Sequence, residues 1–135
     1  MDNKEEEDLS QTDKARKVDA EAMKRRTKAY ALRIIKLVES LPATPAARIM
    51  GKQLLRCGTS VPANYRAACR ARSKADFIAK MGIVEKEADE SVFWVETLVD
   101  AGLVKAARVT DLLDEGHQIL ALVVSSINTA RGGKR

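Results

Sequence analysis

Cys57, Cys69, His117 and the acidic run Glu85, Glu87, Asp89 and Glu90 are the side chains here whose types could do chemistry. Thiols and an imidazole make disulfides or zinc sites, and clustered carboxylates on a helix build di-iron centres. None of these chemistries closes. The two cysteines are the only ones in the chain, and on one continuous helix they would stand roughly 18 Å apart. A disulfide tolerates about 7 Å between Cα atoms. A single histidine leaves one subunit short of the Cys and His ligands of a usual zinc site. The Glu-x-x-His motif of the di-iron bundles is absent. There is no glycine-rich loop to cradle a phosphate, and His117, between Glu115 and Gln118, reads as a surface residue. No catalytic residue, metal or cofactor is expected, and both cysteines read as small core or near-core residues.

What remains is positive charge. Arg48, Lys52 and Arg56 follow one another at intervals of four, as do Arg66, Arg70 and Lys74, and Arg72 lies among the second group. On a helix each trio lines one face, a surface able to neutralise several phosphates with salt-dependent and largely sequence-blind affinity. Tyr65 is the only aromatic among them, too little for a single-strand stacking platform. The total charge of +5 is unevenly spread. Asp2, Glu5, Glu6, Glu7, Asp8 and Asp13 outweigh Lys4 and Lys14, so residues 1–14 carry −4 and the remainder carries +9. Residues 1–18 are expected to be a disordered acidic tail, having little apolar surface to bury. An acidic, polar start is wrong for a secretory signal, and no run approaches the roughly 20 apolar residues of a membrane span. The chain reads as soluble and cytoplasmic.

The elements that position these residues are legible from period. With 135 residues, three prolines, seven glycines and few aromatics, the composition suits one helical domain with an aliphatic core. Met23, Thr27, Tyr30, Ile34, Leu37 and Leu41 step by four and three, predicting a first helix over about Ala20–Ser40. "LPATP" ends it, with Thr44 and Pro45 as N-cap and first residue of the next. In the second helix Ala47, Met50, Leu54, Cys57, Val61, Asn64 and Ala68 keep one register straight through Gly58 and Pro62. That continuity predicts a kinked helix, not a loop built around a ligand. Ser73 with Asp76 opens a third helix, whose seam is Phe77, Met81, Val84, Ala88, Ser91, Val95 and Leu98 and whose end is capped by Gly102. Val109, Leu113, Gly116, Leu120, Val123, Ile127 and Ala130 mark a fourth, about Ala106–Ala130. The expected fold is all-α: an antiparallel up-down four-helix bundle over 19–131, with 132–135 a frayed basic tail.

With helices two and three laid out, "SVPANYRAACRARSKADF" and the later "VEKEADES" resemble the four-helix bundle protein family, also called the 23S rRNA intervening-sequence protein family. The motif positions are Ser60-Val61, Asn64, Arg72, Phe77 and Glu90. Where many members carry Glu-Gly after the Asn this chain has Ala67-Ala68, and Lys86-Glu87 stands where many carry Gly-Ser. The resemblance covers the bundle and implies no enzymatic activity. It implies a homo-oligomer, a ring of five bundles. Some members lie in insertions within ribosomal RNA genes, and distant relatives assist reverse transcriptases by binding nucleic acid and the enzyme.

Two further sets of residues enter the expected function. Ile83, Phe93 and Trp94 fall away from the third helix's seam as a second apolar strip, the pattern of a subunit contact. Ser60, Asn64 and Glu90 are expected to be structural polar residues, with Arg66 or Arg70 reaching Glu87 and Glu90. The expected function is a non-catalytic, ring-forming bundle that binds RNA, DNA or a nucleic-acid enzyme through its basic faces. The alternative is a purely structural interaction module without a nucleic-acid role.

Overall fold

The computed structural model describes residues 3–132, with side chains at Gln11 and from Lys14 onward. Four helices follow in order: α1 Asn3–Glu39, α2 Pro45–Ala68, α3 Lys74–Asp100 and α4 Ala106–Ala130. Successive helices pack side by side, α1 against α2, α2 against α3 and α3 against α4. The thinner α1/α4 contact closes the ring, and the diagonal helices show no close backbone approach. This is the up-down bundle that short connectors between amphipathic helices dictate.

Local chemistry sets the ends. Thr44 Oγ1 accepts the Ala47 N–H at 3.1 Å and Ser73 Oγ accepts that of Asp76 at 3.0 Å. Asp76 in turn accepts the backbone N–H of Arg72 at 3.2 Å, an acidic version of the capping box displaced by one residue. At the end of α3, Gly102 takes φ +74°. Its N–H and that of Leu103 donate to the carbonyls of Val99 and Leu98, the bond pair of a Schellman stop.

α1 departs from the expected disordered tail. Its backbone is helical from Asn3, so the expectation for 1–18 is corrected over 3–18. Low hydrophobicity rules out burial but not helix, and this stretch holds no Gly or Pro to break one. The described side chains from Lys14 to Asp19 are all exposed, so this part of the extension takes no part in the core. Met1 and Asp2, like all but Gly132 of the expected basic tail, lie outside the described residues.

Packing accounts for the glycine and proline inside α2. The helix runs unbroken past Gly58 and Pro62. A Cβ on Gly58 would come within 2.6 Å of Ile34 Cδ1, so its bare backbone is what lets α1 lie directly on α2. Thr59 and Ser60 donate their hydroxyls to the carbonyls of Leu55 and Arg56, at 2.7 and 2.8 Å. These back-bonds, with Pro62, are the features that bend a helix without opening it. Around this contact the seams differ slightly from the sequence reading. Gly51, Gly58 and Tyr65 are buried in α2, whereas Met50 and Asn64 stay half-exposed. In α4, Leu112 and Ile119 enter the core ahead of Leu113 and Leu120. Tyr30 crosses the interior to place its hydroxyl 2.7 Å from Ser91 Oγ, which itself donates to the Ala88 carbonyl. Tyr30 is therefore the donor, and burial pushes its phenol up to about 12.

Candidate nucleic-acid interface

Eighteen residues are five full helical turns, so Arg48 and Arg66 share one azimuth on α2 about 27 Å apart. Lys52, Leu55, Thr59 and Ala63 fall within about 60° of that line, Arg70 follows in the turn just past the end of the helix, and Arg48, Lys52, Arg66 and Arg70 are all exposed. At the C-terminal end of the line, Ala63, Arg66, Ala67 and Arg70 meet Arg72 from the turn and Asp76 and Lys80 from α3. Together they line an open groove of about 690 Å³. Lys80 Nζ sits 2.7 Å from Asp76 and holds its carboxyl below the usual range, so the two form a neutral pair. Arg66, Arg70 and Arg72 have no carboxylate within ion-pairing distance among the described residues. Three uncompensated guanidinium groups thus border one groove.

The sequence-predicted cations are not all brought together. Arg56 is drawn off the line. Its Nη2 donates to Glu90 at 2.9 Å and its Nη1 to Glu87 at 3.3 Å. This corrects the expectation that Arg66 or Arg70 would reach those carboxylates, and it leaves Arg56 paired within its own fold. Its physical role is to compensate Glu87, which is 9% exposed against α2. Hairpin arithmetic carried the signal, since residues equally far from a turn lie side by side in antiparallel helices. Arg56 and Glu87 each stand about fifteen residues from the centre of the α2–α3 turn. Lys74 does not extend the Arg66–Arg70 row either, because α2 stops at Ala68 and Lys74 opens α3. Lys80 was missed, although its four-residue spacing from Asp76 marks an ion pair. Tyr65, the aromatic among the basic residues, is 8% exposed and unavailable for stacking. Arg33 and Lys36 line a smaller hollow on the α1/α4 side with Arg108.

The remaining predicted residues are placed as follows. Ile83 and Phe93 are about half exposed, 47% and 51%. Trp94 instead packs partly against the core, edge-on to Phe93 with ring centroids 5.0 Å apart. The side chains of Ser60, Asn64 and Glu90 form no network with one another. Ser60 Oγ and Asn64 Nδ2 donate to carbonyls of their own helix, those of Arg56 and Ser60, and Glu90 answers Arg56. Cys57 is buried and Cys69 half-buried, both as free thiols, and burial pushes Cys57 up to about 11. Among the described residues no three His, Cys, Asp or Glu side chains gather into a metal-binding group. No described helix is long and apolar enough to cross a membrane.

The geometry has a counterpart among solved structures. The chain is similar to a crystal structure from Bacteroides thetaiotaomicron VPI-5482, described as a protein with unknown function from the S23 ribosomal protein family. The identity is 35% over 78% of this chain and 97% of the other, with a TM-score of 0.73. No curated protein matches. The family model for the 23S rRNA-intervening sequence protein matches residues 20–125, the span in which the bundle, the Arg66–Arg70 groove and the Arg56 clamp all lie. This chain belongs to that family.

Proposed function

We propose that this protein is a non-catalytic cytoplasmic bundle that binds nucleic acid through the outer face of α2 and the α2–α3 groove. The observation that carries the reading is the convergence of Arg66, Arg70 and Arg72 on one open groove whose carboxylate, Asp76, is already paired with Lys80. Arg48 and Lys52 continue the same face. A site of this composition attracts phosphates by charge and offers nothing that reads bases. The family's association with ribosomal RNA insertions agrees with a nucleic-acid partner, as does an enzyme acting on nucleic acid, such as a reverse transcriptase.

Salt titration of RNA and DNA binding is the test. Five phosphate-neutralising cations give log affinity a slope of roughly −4 against log salt. Converting Arg66 and Arg70 together to Glu should abolish binding at moderate salt while the helical circular dichroism stays unchanged. Unaltered affinity in that variant would mean the face is misassigned.

A specific observation also favours self-association. Ile83 and Phe93 expose apolar surface on α3, and a subunit contact is the usual use of such a strip. The resemblance to ring-forming members points to a homo-oligomer of five. If the protein assembles but binds no nucleic acid even at low salt, the purely structural reading stands in place of the first.

A further inference from the structure

We infer that the nucleic acid taken by this face is a duplex, bridged by two cationic clusters near the ends of α2, and not a single strand. The inference rests on the proposed nucleic-acid role and narrows it to a substrate class.

The first ground is the distribution of charge along a rigid rod. Arg48 and Lys52 form one cluster, and Arg66 and Arg70, joined by Arg72, form the other. Between them the same azimuth carries Leu55, Thr59 and Ala63, all uncharged. Arg56, which would fill the gap, is held at 2.9 and 3.3 Å by Glu90 and Glu87 on the α3 side. A flexible single strand can lie along such a rod with phosphates at every step, and it is best held by a continuous basic track. A duplex meets a helix only where its phosphate backbones cross it, with an uncontacted groove intervening. Cations at both ends and none in the middle suit the second geometry.

The second ground is independent of charge. Single-strand binders obtain about 1–3 kcal/mol per base from aromatic stacking. No aromatic side chain is offered along this face. Tyr65, beside Arg66, and Tyr30 are 8% and 1% exposed. The exposed ring of Phe93 belongs to α3 and is backed by Trp94. Bases splayed from a single strand would find no platform, whereas a duplex keeps its bases stacked and presents only phosphates and sugars.

The experiment uses the full chain, fluorescence anisotropy and three labelled DNA probes in low salt. They are a single strand of about twelve nucleotides and hairpin-closed duplexes of about six and about twelve base pairs. At about 3.4 Å per base pair, the roughly 27 Å between clusters spans about eight pairs. The longer duplex should bind at least tenfold more tightly than either the short duplex or the single strand. Arg48→Glu with Lys52→Glu should remove that gain, so that the longer duplex binds no more tightly than the short one. Single-strand affinity equal to or above that of the long duplex would overturn the inference and leave the proposed function intact. Equal affinity for the two duplexes, or insensitivity to the Arg48/Lys52 change, would also overturn it. Binding to none of the three would overturn the proposed function itself.

Discussion

A hydrogen atom in place of a methyl group decides how closely two helices of this bundle lie. A Cβ at Gly58 would press on Ile34 at 2.6 and 3.0 Å, with both residues in the buried core and little room to yield. Gly82 has the same backbone conformation on α3, is exposed, and has nothing within 4 Å of where its Cβ would be. The two glycines therefore answer the same substitution with opposite sign. Gly58→Ala should destabilise by about 1–3 kcal/mol through overpacking. Gly82→Ala should stabilise by about 0.5–1 kcal/mol, because alanine has less conformational freedom to lose and glycine is the poorer helix former. Urea denaturation of the two variants checks both. A stable Gly58→Ala protein would mean that α1 and α2 do not meet at this point. The presence of a glycine near the middle of α2 was evident beforehand, but its reason was not, since the reason is a side chain twenty-four positions away on another helix.

At the scale of the elements, α2 and α3 are held as a hairpin by Arg56 on Glu87 and Glu90, and α1 and α4 by Arg26. The Arg26 fork donates to both oxygens of Glu115 at 2.7 and 2.8 Å and to Gln118 at 2.7 Å. That second clamp lies on the thinnest helix contact of the bundle. It holds the Glu115 carboxyl below its ordinary range, so its contribution is present above about pH 4.5 and lost as the carboxyl protonates. Arg56 separates structure from binding, as the wider set of basic residues does not. Arg56→Ala should lower the thermal midpoint, because Glu87 is left nearly buried without its counter-ion. It should leave the salt slope of nucleic-acid binding unchanged. Parallel melting curves and salt titrations of Arg56→Ala and Arg70→Ala test this division. A reduced slope in the Arg56 variant would return that residue to the binding face.

The whole molecule is a basic bundle prolonged by an acidic helical extension. α1 is antiparallel to α2, so the extension leaves the bundle at the end where Arg66, Arg70 and Arg72 border their groove. Asp19 and Glu21, just inside it, are near enough to help hold the Tyr65 phenol in its neutral form, secondary to burial and Cys69. Deleting residues 1–14 removes a net −4 and takes the chain from +5 to +9. The truncated protein should bind polyanions severalfold faster at low salt, with the difference fading as the Debye length falls to about 8 Å near physiological salt. Stopped-flow association across a salt series measures it, and a rate gain that persists at high salt would require direct contact in place of long-range repulsion. The sequence by itself determined the four helices, their caps and the continuity of α2, because each depends on periodicity and turn chemistry within a few residues. It also separated the core-forming span from the polar start, although helix without burial escaped a criterion built on hydrophobicity. Only the tertiary structure decided which cations act together. Arg48, Lys52, Arg56, Arg66, Arg70 and Lys74 look equivalent by spacing. The packing of α3 against α2 neutralises Arg56, and the turn at residues 69–73 carries Lys74 away from the row. The same packing leaves Arg66 and Arg70 facing water beside Arg72. A charge is available to a partner only if its own fold has not already compensated it, and compensation is a property of residues distant in sequence and adjacent in space.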